Sequence, residues 1–159
     1  MSMKKYILLF FVIFQSTDSL TQNRFEIDSE FDIHPSYTGV QGVEILKVYV
    51  KSKKEKGSLE MAKKNVVQAI IFKGISGSGS ASPILKVSDL DEKSNIFFNS
   101  FFANKDYLRF VNTANDGSIN FGDFKKVGKY FRIGYYLKVE KAQLRSYLED
   151  NGIIRKLGF

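Results

Sequence analysis

Gly57–Gly74, read GSLEMAKKNVVQAIIFKG, is the stretch whose reading decides the fold. At about 100° per residue, Leu59, Ala62, Val66, Ala69 and Ile70 fall on one stripe, with Glu60, Lys64 and Gln68 opposite. Val67 then lies toward the polar side. Ser58 is placed to act as an N-cap, its hydroxyl accepting a bond from a first-turn amide. Glu60 early and Lys73 late suit the helix dipole, and Gly74 suits a left-handed C-cap. Two of the stripe residues are alanines, so the helix can lie close against a sheet.

Working outward, Val43–Lys51 (VEILKVYVK) alternates as a strand, with Leu46, Val48 and Val50 on one face and Ile45, Lys47 and Tyr49 on the other. The lysine-rich turn SKKEKG joins it to the helix, which makes a β–α unit. On the far side of the helix, Gly74–Pro83 (GISGSGSASP) is rich in glycine. A phosphate-cradling loop places its amides at the start of a helix and ends in Gly-Lys-Ser/Thr. This one leaves the end of a helix without that ending, and reads as a flexible connector.

Ser94–Ala103 (SNIFFNSFFA) predicts a second helix in which Phe97/Phe101 and Phe98/Phe102 stack one turn apart. Rings at that spacing read as core rather than as a groove for an apolar ligand. Tyr107–Val111 reads as a strand. Asn112–Asp123 (NTANDGSINFGD) approaches a calcium loop, but Ala114 stands where an oxygen ligand is needed and Asp123 where a bidentate Glu is usual. Asn-Asp-Gly is a turn signal in its own right, so a hairpin-type connection is expected. Lys129–Val139 is the longest strand. Phe131, Ile133, Tyr135, Leu137 and Val139 share one face, with Tyr130, Arg132, Gly134, Tyr136 and Lys138 on the other. Lys141–Asp150 predicts a last helix with Leu144, Tyr147 and Leu148 inward and Gly152 as its stop, and the tail IIRKLGF is apolar enough to dock back. The sum is an α+β domain: two layers, a small mainly antiparallel sheet and a central amphipathic helix packed on one face.

The chain has 159 residues, 43% of them hydrophobic, with 15 Phe, 8 Tyr and no Cys. That is enough apolar material for one core. Without Cys, a disulfide scaffold, a thiolate zinc site, a thiol nucleophile and an acylated lipoprotein anchor are excluded. Lys4 and Lys5, the apolar run Tyr6–Phe14 and the small or polar residues Gln15–Ser19 have the order of a secretory signal peptide. The expected organisation is therefore 1–19 signal peptide, 20–41 irregular N-terminal segment and 42–159 a single α+β domain, periplasmic or extracellular. Phe25 and Ile27 alternate with acidic neighbours, which allows a short edge strand. The only histidine, His34, lies beside Pro35 and reads as a loop residue.

The net charge of +7 becomes +6 when Lys4, Lys5 and Asp18 leave with the first 19 residues. Its densest cluster is Lys47, Lys51, Lys53, Lys54 and Lys56. A solvated strand end explains it; a patch for lipid headgroups, cell-wall polymer or nucleic acid is the sharper reading. Nucleic acid is disfavoured by export and by the lack of a nucleic-acid motif.

The runs AKKNVVQAIIFKG, FFNSFFANKDYLRFV, KVGKYFRIGYYLKV and AQLRSYLEDNGI resemble small exported proteins of Gram-negative anaerobes. More distantly, the strand plus alanine-bearing helix, closed by KYFRIGYYLKVE, is similar to the N-terminal domain of the flagellar assembly protein FlgT and to related envelope lipoprotein domains. The resemblance implies an α+β envelope domain with no catalytic residues. Unlike the lipoproteins, this chain has no cysteine to acylate. Catalysis needs a base, a nucleophile or a metal held in a cleft, and no motif here supplies one. The expectation is a non-enzymatic module with no catalytic, cofactor or metal residues. It would bind a protein or cell-envelope component through a strand edge or its aromatic surface, touching a membrane at most peripherally. The alternative is a small-ligand carrier or a hydrolase working through Asp116 and Asp123.

Overall fold

The computed structural model describes residues 25–27, 32–37, 41–115, 119 and 123–156. The expected signal peptide lies outside the described residues. Eight principal elements run β1 (Asp32–Tyr37), β2 (Glu44–Ser52), α1 (Ser58–Phe72), α2 (Glu92–Ala103), β3 (Val111–Thr113), β4 (Phe124–Val127), β5 (Tyr130–Val139) and α3 (Lys141–Asp150). Together they make the expected α+β fold, an open antiparallel sheet with its helices on one face.

β2 and β5 form the spine, paired from Glu44↔Val139 to Ser52↔Phe131. Their apolar sets face the helices: Leu46, Val48, Ile133, Leu137 and Val139 are fully buried. β1 pairs with the free side of β2. It was expected to be irregular. Pro35 has no N–H to donate, which confines it to an edge strand, and the register slips between Pro35 and Tyr37. Phe25–Ile27, read as a possible edge strand, is not one. The Phe25 amide bonds Asn95 Oδ1 at 3.2 Å and its ring stacks on Phe102 at 5.0 Å.

At the other edge the strands expected to flank Asn112–Asp123 do pair antiparallel, from Val111↔Val139 to Thr113↔Leu137, but the connection between them carries a further strand, β4. β3 and β4 do not pair with each other. Both lie along the same side of β5, β3 opposite Leu137–Val139 and β4 opposite Tyr130–Ile133. The Ala114 amide bonds the Tyr136 carbonyl at 2.8 Å, whereas Phe124 is opposite Ile133. Between these two contacts β5 advances by only Gly134 and Tyr135. Upstream, Asp106–Phe110 is a 3₁₀ turn rather than the start of a strand.

α1 begins as expected in position but not in chemistry. Gly57 is the cap residue, at φ 88°. The Ser58 hydroxyl, fully buried, donates to the Glu55 carbonyl and meets the Tyr135 hydroxyl, each at 2.5 Å. Ser58 thus ties the helix start to β5 instead of capping it. Gly74 closes the other end at φ 78°, its amide on the Ala69 carbonyl at 2.8 Å.

The stripe reading fails in the second half of α1, where Val67 and Gln68 are as buried as Val66 and Ile70. One side of the helix rests on the sheet. The other lies under Phe25–Ile27 and α2, with Gln68 Nε2 on the Glu26 carbonyl at 3.4 Å and Phe72 against Phe98 at 4.8 Å. The phenylalanines of α2 are core, as expected: Phe97 stacks on Phe101 at 5.7 Å, and Phe98, Phe101 and Phe102 are buried.

The glycine-rich loop is more than a flexible connector. The Ile75 amide bonds the Ser80 carbonyl at 2.7 Å, and buried Ser80 donates to buried Glu44 at 3.0 Å. α3 and the start of the tail match expectation, with Leu144, Leu148 and Ile153 in the core. No helix among the described residues is long and apolar enough to cross a membrane.

Candidate functional site

The sheet face away from the helices carries the polar chemistry. Residues directly opposite in an antiparallel pair point to the same side. The pairs Asp32↔Tyr49, His34↔Lys47, Tyr49↔Gly134, Lys47↔Tyr136 and Lys51↔Arg132 therefore place all these side chains on one surface. Among the described residues no helix lies on it.

Two arrangements share Tyr49. The first is a closed clasp. Asp123, only 5% exposed, holds Lys47 Nζ at 2.5 Å and accepts from the Tyr49 hydroxyl at 3.1 Å, both on Oδ1. Asp123 stands just before β4 and must reach across β5 to Lys47 on β2. Gly134 makes that crossing possible: a Cβ there would lie 2.7 Å from the Tyr49 ring and 3.1 Å from Asp123 Cβ. The hydrogen bond that Lys47 donates to Asp123, joined by those to Tyr49 and Tyr136, raises the Lys47 ammonium above the ordinary lysine value. Lys47 also sits 5.0 Å from the Tyr136 ring centre, a distance at which a cation is drawn to the face of the ring.

The second arrangement is open. The Arg132 guanidinium carbon sits over the Tyr49 ring, 3.4 Å from its centre, and Arg132 donates to Asp32 Oδ2 from Nη2 at 2.7 Å and from Nε at 3.1 Å. Asp32 Oδ1 is 2.8 Å from His34 Nε2, and the imidazole meets Tyr49 edge-on at 6.0 Å. Partial burial pushes the Asp32 carboxyl up, but the hydrogen bonds from Arg132 and His34 and their charge outweigh it, so its pKa is lowered. Arg132 loses some solvation, yet Asp32 raises its pKa, so it stays charged. These side chains remain 61% (His34), 45% (Asp32) and 35% (Arg132) exposed.

Of the carboxylates singled out from sequence, Asp116 lies outside the described residues, and Asp123 is committed to Lys47 and Tyr49. His34 is a strand residue paired with Asp32 rather than a loop residue. Among the described residues no group of three or more His, Asp and Glu could hold a metal ion. A recess of about 450 Å³ opens beside the α1 start, lined by Glu55, Lys56, Leu59, Ile119 and Tyr135. Its phenol is already engaged by Ser58.

Alternation in the sequence correctly groups Lys47 with Tyr49 and Arg132 with Gly134 and Tyr136. What it does not contain is the register between β2 and β5, or the pairing of Asp32 with a residue a hundred positions away. No protein-family model, curated protein or solved structure matches this chain.

Proposed function

We propose that the protein is a non-enzymatic, exported module that binds a protein or cell-envelope component through the outer face of its sheet. The observation that carries this reading is the open array of Asp32, His34, Arg132 and Tyr49. Tyr and Arg are the residue types that most often anchor interfaces. Here the guanidinium is already stacked and oriented, so little side-chain entropy remains to be lost when a partner arrives. The array has directional donors, an aromatic plate and partial exposure. Among the described residues no serine or threonine hydroxyl is held against His34, and the nearest buried carboxylate is occupied. The resemblance to exported envelope proteins supports the compartment.

The test is retention of purified protein on isolated envelopes and on cell-wall sacculi from the host. Arg132→Gln is compared with wild type and with Ile96→Ser, a change at an exposed position of α2 on the helical side. Loss of retention in Arg132→Gln alone supports the reading. Equal retention of all three proteins overturns it.

A further inference from the structure

We propose that the β2–α1 loop and the β4–β5 hairpin together form a docking surface for an anionic lipid bilayer. These residues sit at one end of the sheet, where Lys51 and Lys125 flank Arg132 on its outer face, and the substitutions used below leave Asp32, His34, Tyr49 and Arg132 unchanged.

The two loops leave the sheet side by side. Ser52, the last residue of β2, is opposite Phe131, and Val127 is opposite Tyr130 across the two-residue turn Gly128–Lys129. They meet at Tyr130, with Lys53 Nζ 6.0 Å and Lys129 Nζ 5.5 Å from its ring centre. One loop carries Lys53, Lys54 and Lys56 and the hairpin carries Lys125, Lys126 and Lys129, all of them exposed. Within the stretches 53–56 and 124–129 the one acidic residue is Glu55. None of the six makes an ion pair among the described residues.

Register adds a second sign. Lys51 is opposite Arg132, and Arg132 is opposite Lys125, so three cations stand in a row across three strands. Like charges directly opposite destabilise a sheet, and Asp32 answers only the middle one. An arrangement that costs stability in the free protein is relieved when an anionic surface supplies the missing charge.

The choice of a bilayer over a soluble polyanion rests on the apolar residues in the same hairpin. Phe124 is 40% and Val127 48% exposed, and β4 is exposed along its whole length. A hydrated polyanion has no use for them. At a bilayer, lysines settle at the phosphates while apolar side chains pass below the headgroups.

The experiment is flotation of the full chain with vesicles of phosphatidylglycerol mixed with phosphatidylcholine, and with pure phosphatidylcholine. The quantity read is the ratio of the two partition coefficients, which isolates the tip from the apolar run at residues 6–14 shared by every variant. The expected wild-type ratio is large and falls with salt. Lys125→Gln/Lys126→Gln/Lys129→Gln should lower it about a hundredfold, each lysine near an anionic surface contributing about fivefold. Val127→Ser should weaken binding to anionic vesicles while leaving retention on heparin unchanged. The proposal is overturned if the triple variant keeps the wild-type ratio. It is also overturned if heparin retention falls with the lysines while vesicle binding does not, which would make the patch a soluble-polyanion site. Circular dichroism of each variant separates these outcomes from misfolding.

Discussion

Asp123 and Asp32 present the same functional group on the same face of one sheet, both within reach of Tyr49, and they do different things. Asp123 is 5% exposed and receives Lys47 and the tyrosine hydroxyl on one oxygen. Asp32 is 45% exposed and divides its oxygens between His34 and Arg132. A carboxylate taken out of water must keep its partners, because an unpaired buried charge is expensive. A carboxylate left in water gains little from the same bonds. Burial, not residue type, therefore makes the first arrangement part of the fold and leaves the second accessible at the surface.

The helical side sets the scale for that comparison. Ile70→Ala should cost about 2–5 kcal/mol, because transfer energy is lost and a cavity remains. Val67→Ala should cost about 2 kcal/mol, since two buried carbons are removed. Chemical denaturation of both checks this. A negligible loss for Val67→Ala would mean that α1 is not enclosed by Phe25–Ile27 and α2.

Breaking the clasp comes next. Lys47→Met should destabilise by about 1.5–3 kcal/mol, the range for hydrogen bonds to charged groups, because Asp123 keeps only part of its shell. The dependence on pH has a definite sign. Lys47 has a raised pKa in the folded protein, so its contribution is complete below the unfolded lysine value near 10.4 and is lost as pH rises through the higher folded value. The difference between wild type and Lys47→Met should accordingly stay flat from neutral pH to about 10 and shrink beyond it.

Gly134→Ala probes the point where the two arrangements join. The added methyl group collides with the Tyr49 ring, and overpacking of this kind costs about 1–3 kcal/mol. It should also shift Tyr49 from under Arg132, so near-ultraviolet circular dichroism should change even where the fold survives. An unchanged tyrosine signal would show that the ring does not depend on the glycine.

Much of this architecture was legible in the sequence, for identifiable reasons. Strong periodicity gave β2, α1, α2, β5 and α3 nearly to the residue, and it assigned Tyr135 and Tyr136 to opposite faces. Registers and second-side contacts were not legible. Nothing local tells Ser58 that a Tyr135 hydroxyl will arrive, or tells Gln68 that Phe25–Ile27 will cover it. β1 was hidden because Asp32–Tyr37 contains a proline and polar residues, a pattern that an edge strand tolerates and a propensity reading rejects. Of the candidate site, the outward sets of β2 and β5 could be read, but not β1 itself or the pairing that brings Asp32 to Arg132.

The smallest stability effect belongs to the open array. Asp32→Asn and Arg132→Gln should each change stability by less than about 1 kcal/mol, as exposed ion pairs do. Asp32 has a lowered pKa in the folded state, so its small contribution is present above the unfolded value near 3.9 and is lost as pH falls through the lower folded value. Denaturation of Asp32→Asn and wild type at neutral pH and below pH 4 would check both magnitude and sign.

The most direct measurement of the central claim, that the clasp folds the sheet and the open array binds, takes two readings from one preparation of Arg132→Gln. The first is its urea midpoint and the second is its retention on host envelopes. The account predicts a midpoint close to wild type together with lost retention. Wild-type retention at wild-type stability would contradict it.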